Sequence, residues 1–147
     1  MILRSVSYEE ALPLADAMSL EMQLLYEDDE GASPADPSDF LAPGTFLLGT
    51  VGGADVACGG LKPIAEGVVE VKRMYVVPAH RGKGYSRALL RGLVQHARDV
   101  GLREVWLETG TRQPEAIGLY VSEGFTPIEP FGYWKDHPET RCFALLL

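Results

Sequence analysis

The stretch VEVKRMYVVPAHRGKGYSRALLRGLVQHAR, Val69 to Arg98, decides the fold. Its first part is a β-branched and apolar run that ends at Val77, where Pro78 stops it. A short basic loop, Arg81-Gly82-Lys83-Gly84, follows, and the chain enters a helical pattern without a break. Tyr85, Ala88, Leu89, Gly92, Leu93, His96, Ala97 and Val100 recur on one face, with Arg87, Arg91 and Arg98 on the other side. Gly101 is the expected C-terminal stop. A strand feeding a glycine turn that opens a helix is suited to an anion. The first helical turn carries amides without intrahelical partners, and the helix dipole favours negative charge there. Glycine at 82 and 84 keeps Cβ atoms out of a phosphate's way and lets consecutive amides form a nest.

Two phosphate patterns are excluded. GxxxxGK[ST] is absent, and Gly82-Lys83-Gly84-Tyr85-Ser86-Arg87 lacks the third glycine of the dinucleotide fingerprint. The loop resembles instead the acyl-CoA pyrophosphate loop of the GNAT superfamily of N-acetyltransferases, Q/R-x-x-G-x-G/A. Arg81, Gly84 and Ser86 stand at its three positions, Ser86 departing from Gly/Ala. The flanking Met74-Tyr75-Val76-Val77-Pro78 and Arg87-Ala88-Leu89-Leu90 are similar to the family too. So is Ala116-Ile117-x-Leu119-Tyr120-x-x-x-Gly124-Phe125. The resemblance runs from about Thr45 to the C-terminus; residues 1–44 fit by element order only.

That order is read as follows. Ile2 to Val6 is a first strand. Ser7-x-x-Glu10 is a capping box that predicts a helix from near Tyr8, with Pro13 either bending it or delaying its start. Tyr26 to Glu30 is an acidic run, read as a solvated turn or as an attractor of a cationic acceptor. A short second helix fits between Ser33 and Pro43. Thr45 to Val51 and Val56 to Leu61 form a hairpin around Gly52-Gly53-Ala54-Asp55. A turn near Ala65-Glu66-Gly67 leads into the central strand. After the central helix come a strand from Glu104 to Thr109, a helix from about Glu115 to Glu123 with Pro114 at its start, a strand from Phe125 to Ile128, an aromatic loop Phe131-Gly132-Tyr133-Trp134, and a last strand from Arg141 to Leu147. Strands before the central helix are antiparallel by loop length, and the two that flank it are parallel. The fold class is therefore α/β (α+β): the resemblance implies the GNAT acyl-CoA N-acyltransferase fold, a mixed, splayed central sheet flanked by helices. The splay is the natural ligand slot.

The 147 residues are one domain's worth, so a single domain over 1–147 is expected. No apolar run approaches the length that spans a bilayer, and no signal-peptide pattern is present, so no membrane partner is expected. Cys58 and Cys142 lie in strand-like runs without metal-ligand spacing; they read as two buried thiols in a reducing, cytoplasmic compartment, with no metal. The net charge of −8 argues against nucleic acid as a partner.

The resemblance implies an acetyl-CoA-dependent N-acetyltransferase and, at family level, a homodimer. Backbone amides of Met74 and Val76, on either side of Tyr75, would hold the pantetheine arm and the thioester carbonyl. The amides of Arg81, Gly82, Lys83, Gly84, Tyr85 and Ser86 would hold the pyrophosphate. Tyr120 would be the general acid beside the thioester sulfur, and Glu70 matches a strand position used as general base. Many members carry Asn where this chain has Gln113, so a side-chain contact to CoA from there departs from the pattern. Glu108, across the splay from Glu70, is an alternative base or an acceptor ligand. Arg73 is out of place in an apolar run and calls for a buried acid or an acceptor carboxylate. Lys83 and Arg87 are candidates to touch CoA phosphates, and His96 reads as a packed histidine. No cysteine stands in a nucleophile-like context, so direct transfer to a primary amine of a small molecule in a ternary complex is expected. Two other readings are a non-catalytic acyl-CoA sensor and an acetyltransferase acting on a protein or peptide amine.

Overall fold

The computed structural model describes residues 1–27 and 34–147; residues 28–30 of the acidic run, and Ser33, lie outside the described residues. The elements are β1 (Ile2–Ser5), α1 (Leu12–Tyr26), β2 (Thr45–Val51), β3 (Ala54–Ala65), β4 (Val68–Val76), α2 (Tyr85–Asp99), β5 (Glu104–Gly110), α3 (Pro114–Ser122), β6 (Thr126–Ile128) and β7 (Thr140–Leu146). The strands form one sheet in the order β1-β2-β3-β4-β5-β7-β6. Pairing is parallel between β4 and β5 and antiparallel between the other neighbours. This is the mixed sheet that the loop lengths predict.

The start of the first helix and the extent of β3 differ from the sequence reading by more than a residue, each for a local reason. The Glu10 N–H reaches Ser7 Oγ at 3.3 Å, as a capping box requires, but it opens a 3-10 turn over Glu9–Ala11. The α-helix starts after that turn, so Pro13 falls in its first turn, where a missing N–H breaks no helical bond. In the β2–β3 hairpin the loop is Gly52-Gly53 alone, both at positive φ (57° and 82°), the backbone of a two-residue type I′ turn. Ala54 and Asp55 therefore belong to β3, which continues through Pro63 to Ala65.

Each face of the sheet carries one apolar cluster. On one side Leu89, Leu90, Leu93 and Ala97 of α2 pack on Val69, Val71, Val105 and Leu107. On the other, Tyr8, Ala15 and Met18 pack on Phe46, Leu48, Cys58 and Tyr75. The Tyr8, Phe40 and Phe46 rings meet there at centroid distances of 4.8–5.1 Å. α2 is tied laterally as well. Arg87 Nη1 donates to Ser122 Oγ at 2.9 Å and to Glu123 Oε2 at 3.0 Å, and Arg91 forks onto the same carboxylate. His96 Nε2 lies 3.2 Å from the Pro43 carbonyl, the packed role expected of it.

The site is made by a parting. β4 and β5 pair only over Val68–Glu70 and Glu104–Trp106. Beyond that, β4 stays with β3 as far as Val76, and β5 stays with β7 as far as Gly110. A bulge helps to turn β4 aside: Cys58 faces Tyr75 and Gly60 faces Lys72, so β4 carries one residue more than β3 across this step. Arg73 takes the strained backbone there, at φ 59°.

Gly60 lies under the aromatic trio, where an added Cβ would stand 2.5 Å from Phe46 and 2.7 Å from Phe40. Gly60→Ala is therefore expected to cost about 1–3 kcal/mol by overpacking, read as a lower midpoint in thermal unfolding.

Candidate active site

At the end of β4 the chain makes a 3-10 turn over Pro78–His80 and enters α2 through Gly82 and Gly84, at φ 77° and 81°. An added Cβ at either glycine would meet nothing within 4 Å. The left-handed backbone is by itself a reason for glycine at both positions. The first bond into the helix is Ala88 N–H to Gly84 O at 3.1 Å, so the amides of Tyr85, Ser86 and Arg87 have no intrahelical acceptor. Arg81 braces the loop: its Nε donates to Val76 O at 2.9 Å, its Nη2 reaches both Glu21 oxygens at 2.9 Å, and its guanidinium covers the Tyr75 ring.

A cavity of about 690 Å³ runs along this loop, lined by Met74, Tyr75, Val76, Arg81, Gly82, Gly84, Tyr85 and Ser86 on one side and by the start of α3 on the other. Lys83 is exposed and outside that lining, and Arg87 is committed to α3. A second cavity, about 170 Å³, occupies the gap between β4 and β5. Glu70, Lys72, Arg73, Leu107, Glu108 and Thr109 line it, with Trp134, His137, Glu139 and Thr140 from the segment before β7. Met18, Met22, Met74, Gln113 and Tyr120 line both cavities and form the seam between them.

The titratable groups at the seam are perturbed by burial. Tyr120 is 7% exposed, its ring against Phe125 and Phe143, and desolvation pushes its phenol up to about 12. Glu70 is 6% exposed; burial raises its carboxyl above the ordinary range, while Lys72 and Lys62 pull the other way. Glu108 is pushed up to about 7, by burial first and then by the charge of Glu70. Its Oε2 is buried without a hydrogen-bond partner among the described residues, as is Thr109 Oγ1. Cys58 is buried, its thiol raised to about 12, with Sγ 3.4 Å from Arg73 O: a structural thiol, not a nucleophile.

The structure thus brings together Glu70, Glu108, Gln113 and Tyr120, which the sequence places on three different elements. The sequence reading missed Met18, Met22 and Tyr26 of α1 and the His137–Thr140 segment. The methionines are visible only as part of an apolar stripe, and nothing local marks the segment as a cavity wall. From the 131–134 loop, Trp134 lines the cavity, and Phe131 packs on Trp106 at 5.1 Å.

A sheet split between two parallel strands, with an anion-receptive helix start on one side and a carboxylate-lined cavity on the other, is the architecture of an acyl-CoA-type transferase. The sequence pattern of the acetyltransferase (GNAT) family matches residues 14–125, and the chain belongs to that family. An IAA acetyltransferase from Azospirillum brasilense is 40% identical over 94 residues, 63% of this chain and 61% of that protein. The uncharacterized N-acetyltransferase YjgM from Escherichia coli (strain K12) is 32% identical over 111 residues, 69% of this chain and 66% of that one. The match therefore spans somewhat under two thirds of each relative's length. Among solved structures, a chain from Klebsiella pneumoniae subsp. pneumoniae MGH 78578, provisionally assigned as an acyl-CoA N-acyltransferase, superposes with a TM-score of 0.81 at 27% identity, covering 99% of this chain and 97% of that one. A GNAT family acetyltransferase from Elizabethkingia anophelis with acetyl-CoA bound shares the fold, with a TM-score of 0.72 at 17% identity and coverage of 99% and 97%.

The raised carboxyl of Glu108 has a stability signature. Its folded value of about 7 exceeds the ordinary 4.5, so its contribution to stability is full below 4.5 and is lost as pH rises through 7. Unfolding midpoints of the wild type should fall across that window, and Glu108→Gln should remove part of the fall.

Proposed function

We propose that the chain is an acetyl-CoA-dependent N-acetyltransferase that moves the acetyl group to a primary amine of a small molecule by direct transfer in a ternary complex. The observation that carries this reading is the pair of cavities meeting at Tyr120. One is large and lined by an anion-receptive loop; the other is smaller, with the carboxyls of Glu70, Glu108 and Glu139 in its lining. The donor's pyrophosphate would lie on the amides from Arg81 to Ser86, its arm along Met74–Val76, and its thioester at the seam. The small cavity suits an amine of modest size better than a folded protein surface. The free, buried Cys58 and Cys142 fit a reducing cytoplasm.

The chemistry follows from the groups present. A protonated amine must lose a proton before it attacks, and a carboxyl with a pKa near 7 is well matched to accept it. Glu108 takes this role. Glu70, beside it, holds the ammonium electrostatically and is the second candidate for the base. The amine lone pair forms the C–N bond, the carbonyl develops an oxyanion, and a strand amide, that of Val76, stabilises it. The C–S bond then breaks, the electron pair leaves on sulfur, the nitrogen sheds its second proton to give the amide, and the thiolate takes up one proton to leave as free thiol. A Tyr120 phenol held near 12 stays protonated throughout the neutral range. It favours donating a hydrogen bond to the departing sulfur over surrendering its proton early.

CoA thiol release from acetyl-CoA is expected to rise with one class in a panel of amino acids, polyamines, aminoglycosides and peptides. Release by none of them, with acetyl-CoA bound in the same preparation, would favour an acyl-CoA sensor or an acceptor outside the panel. Tyr120→Phe should lower kcat by roughly ten- to a hundredfold with little change in acetyl-CoA affinity, and Glu108→Gln by about 10²-fold or more. An unchanged kcat removes the residue concerned from the mechanism.

A further inference from the structure

Tyr26 ends α1 and has no place in the chemistry above, yet the seam is shaped around it. Its hydroxyl donates to Gln113 Oε1 at 2.9 Å. It enters a notch in β5 made by the missing side chain of Gly110, where an ideal Cβ would stand 1.8 Å from the Tyr26 hydroxyl oxygen and 2.5 Å from the adjoining ring carbon. The three nearest atoms to that Cβ all belong to Tyr26. Gly110 does not have the positive φ of the turn glycines. The backbone there would accept alanine, so its glycine serves this ring.

The ring is held from outside. The Arg112 guanidinium lies 5.8 Å from its centroid, and is itself fixed by Nε to Glu139 Oε1 at 2.9 Å and Nη1 to Leu25 O at 3.1 Å. Burial raises the Tyr26 phenol, so the group stays an O–H donor at neutral pH.

The phenol oxygen is engaged by the Arg112 backbone N–H, and its O–H, turned to Gln113, fixes which end of the amide faces it. The carbonyl oxygen turns to Tyr26, and the NH₂, about 120° away on the same carbon, turns elsewhere. Gln113 lines both cavities, so that direction is open to the seam. We propose that Tyr26 is a positioning residue: seated in the Gly110 notch, it orients the Gln113 amide so that its NH₂ donates to a carbonyl of the acyl donor's arm at the seam. The glutamine, one methylene longer than asparagine, reaches the tyrosine and the donor together. This rests on the larger cavity being the acyl-donor site.

The test is acetyl-CoA affinity by isothermal titration calorimetry, which needs no acceptor, on wild type, Tyr26→Phe, Gly110→Ala, Gln113→Leu and the Tyr26→Phe/Gln113→Leu pair. Tyr26→Phe and Gln113→Leu should each weaken binding by about five- to tenfold, the double variant should bind no more weakly than Gln113→Leu alone, and Gly110→Ala should match Tyr26→Phe. Thermal unfolding of Tyr26→Phe should stay within a few degrees of wild type, because its ring packing is kept. Wild-type affinity in Tyr26→Phe, or losses that multiply in the double variant, would overturn the positioning role. Failure of the wild type to bind acetyl-CoA would overturn the donor-site reading itself, and the positioning role with it.

Discussion

The parting of β4 and β5 after Glu70 and Trp106 is the constraint on which the rest depends. A parallel pair that stayed together would hide its edges in hydrogen bonds. Here two strand edges face a gap, and each is held in place by its other neighbour, β3 or β7. The cost of unpaired edges is kept local, because the pairing below the fork anchors the strands and apolar packing closes both faces. Everything chemical in the molecule lies at or above the fork: the carboxylates on either bank, the phenol between them, and the glycine loop where β4 ends.

What surrounds the gap is built to hold still. α2 is fixed along its length by Leu89, Leu90 and Leu93, all fully buried, and in its first two turns by Arg87 and Arg91, which share the carboxylate of Glu123 at the end of α3. Those partly exposed pairs contribute little stability each. Their use is geometric, since they lock the helix whose first-turn amides face the large cavity to the helix that carries Tyr120. Arg81 does the same on the opposite side, joining loop, β4 and α1 through Val76 O and Glu21.

Much of this was legible in the chain. The β-branched run, Pro78, the glycine loop and the helical stripe of Leu89, Leu93 and Ala97 place β4 and α2 because local chemistry there agrees with the fold. The mixed sheet followed from loop lengths, the splay from the resemblance to the family, and the Leu119-Tyr120 motif located the phenol. Other features depend on contacts that no local pattern encodes. Arg73 has none of the residue preferences of a left-handed position, so the bulge could not be read. Gly110 looks like the end of a strand until Tyr26, remote in sequence, is seen to fill its place. The shift of Glu108 arises from burial and from Glu70 on another strand, and neither is a property of its own neighbourhood in the chain.

The composition of the seam has a consequence for durability. Three of the five residues common to both cavities are methionines, Met18, Met22 and Met74, while both cysteines are buried in strands. Thioethers suit a surface shared by two cavities of different size, because they are unbranched and polarisable. They also line both cavities, whereas neither cysteine lines either one. Conversion to sulfoxide would put a polar, chiral group where the two cavities meet. Oxidative inactivation of this protein would then be a methionine event, reversed by sulfoxide reductases and untouched by thiol reductants.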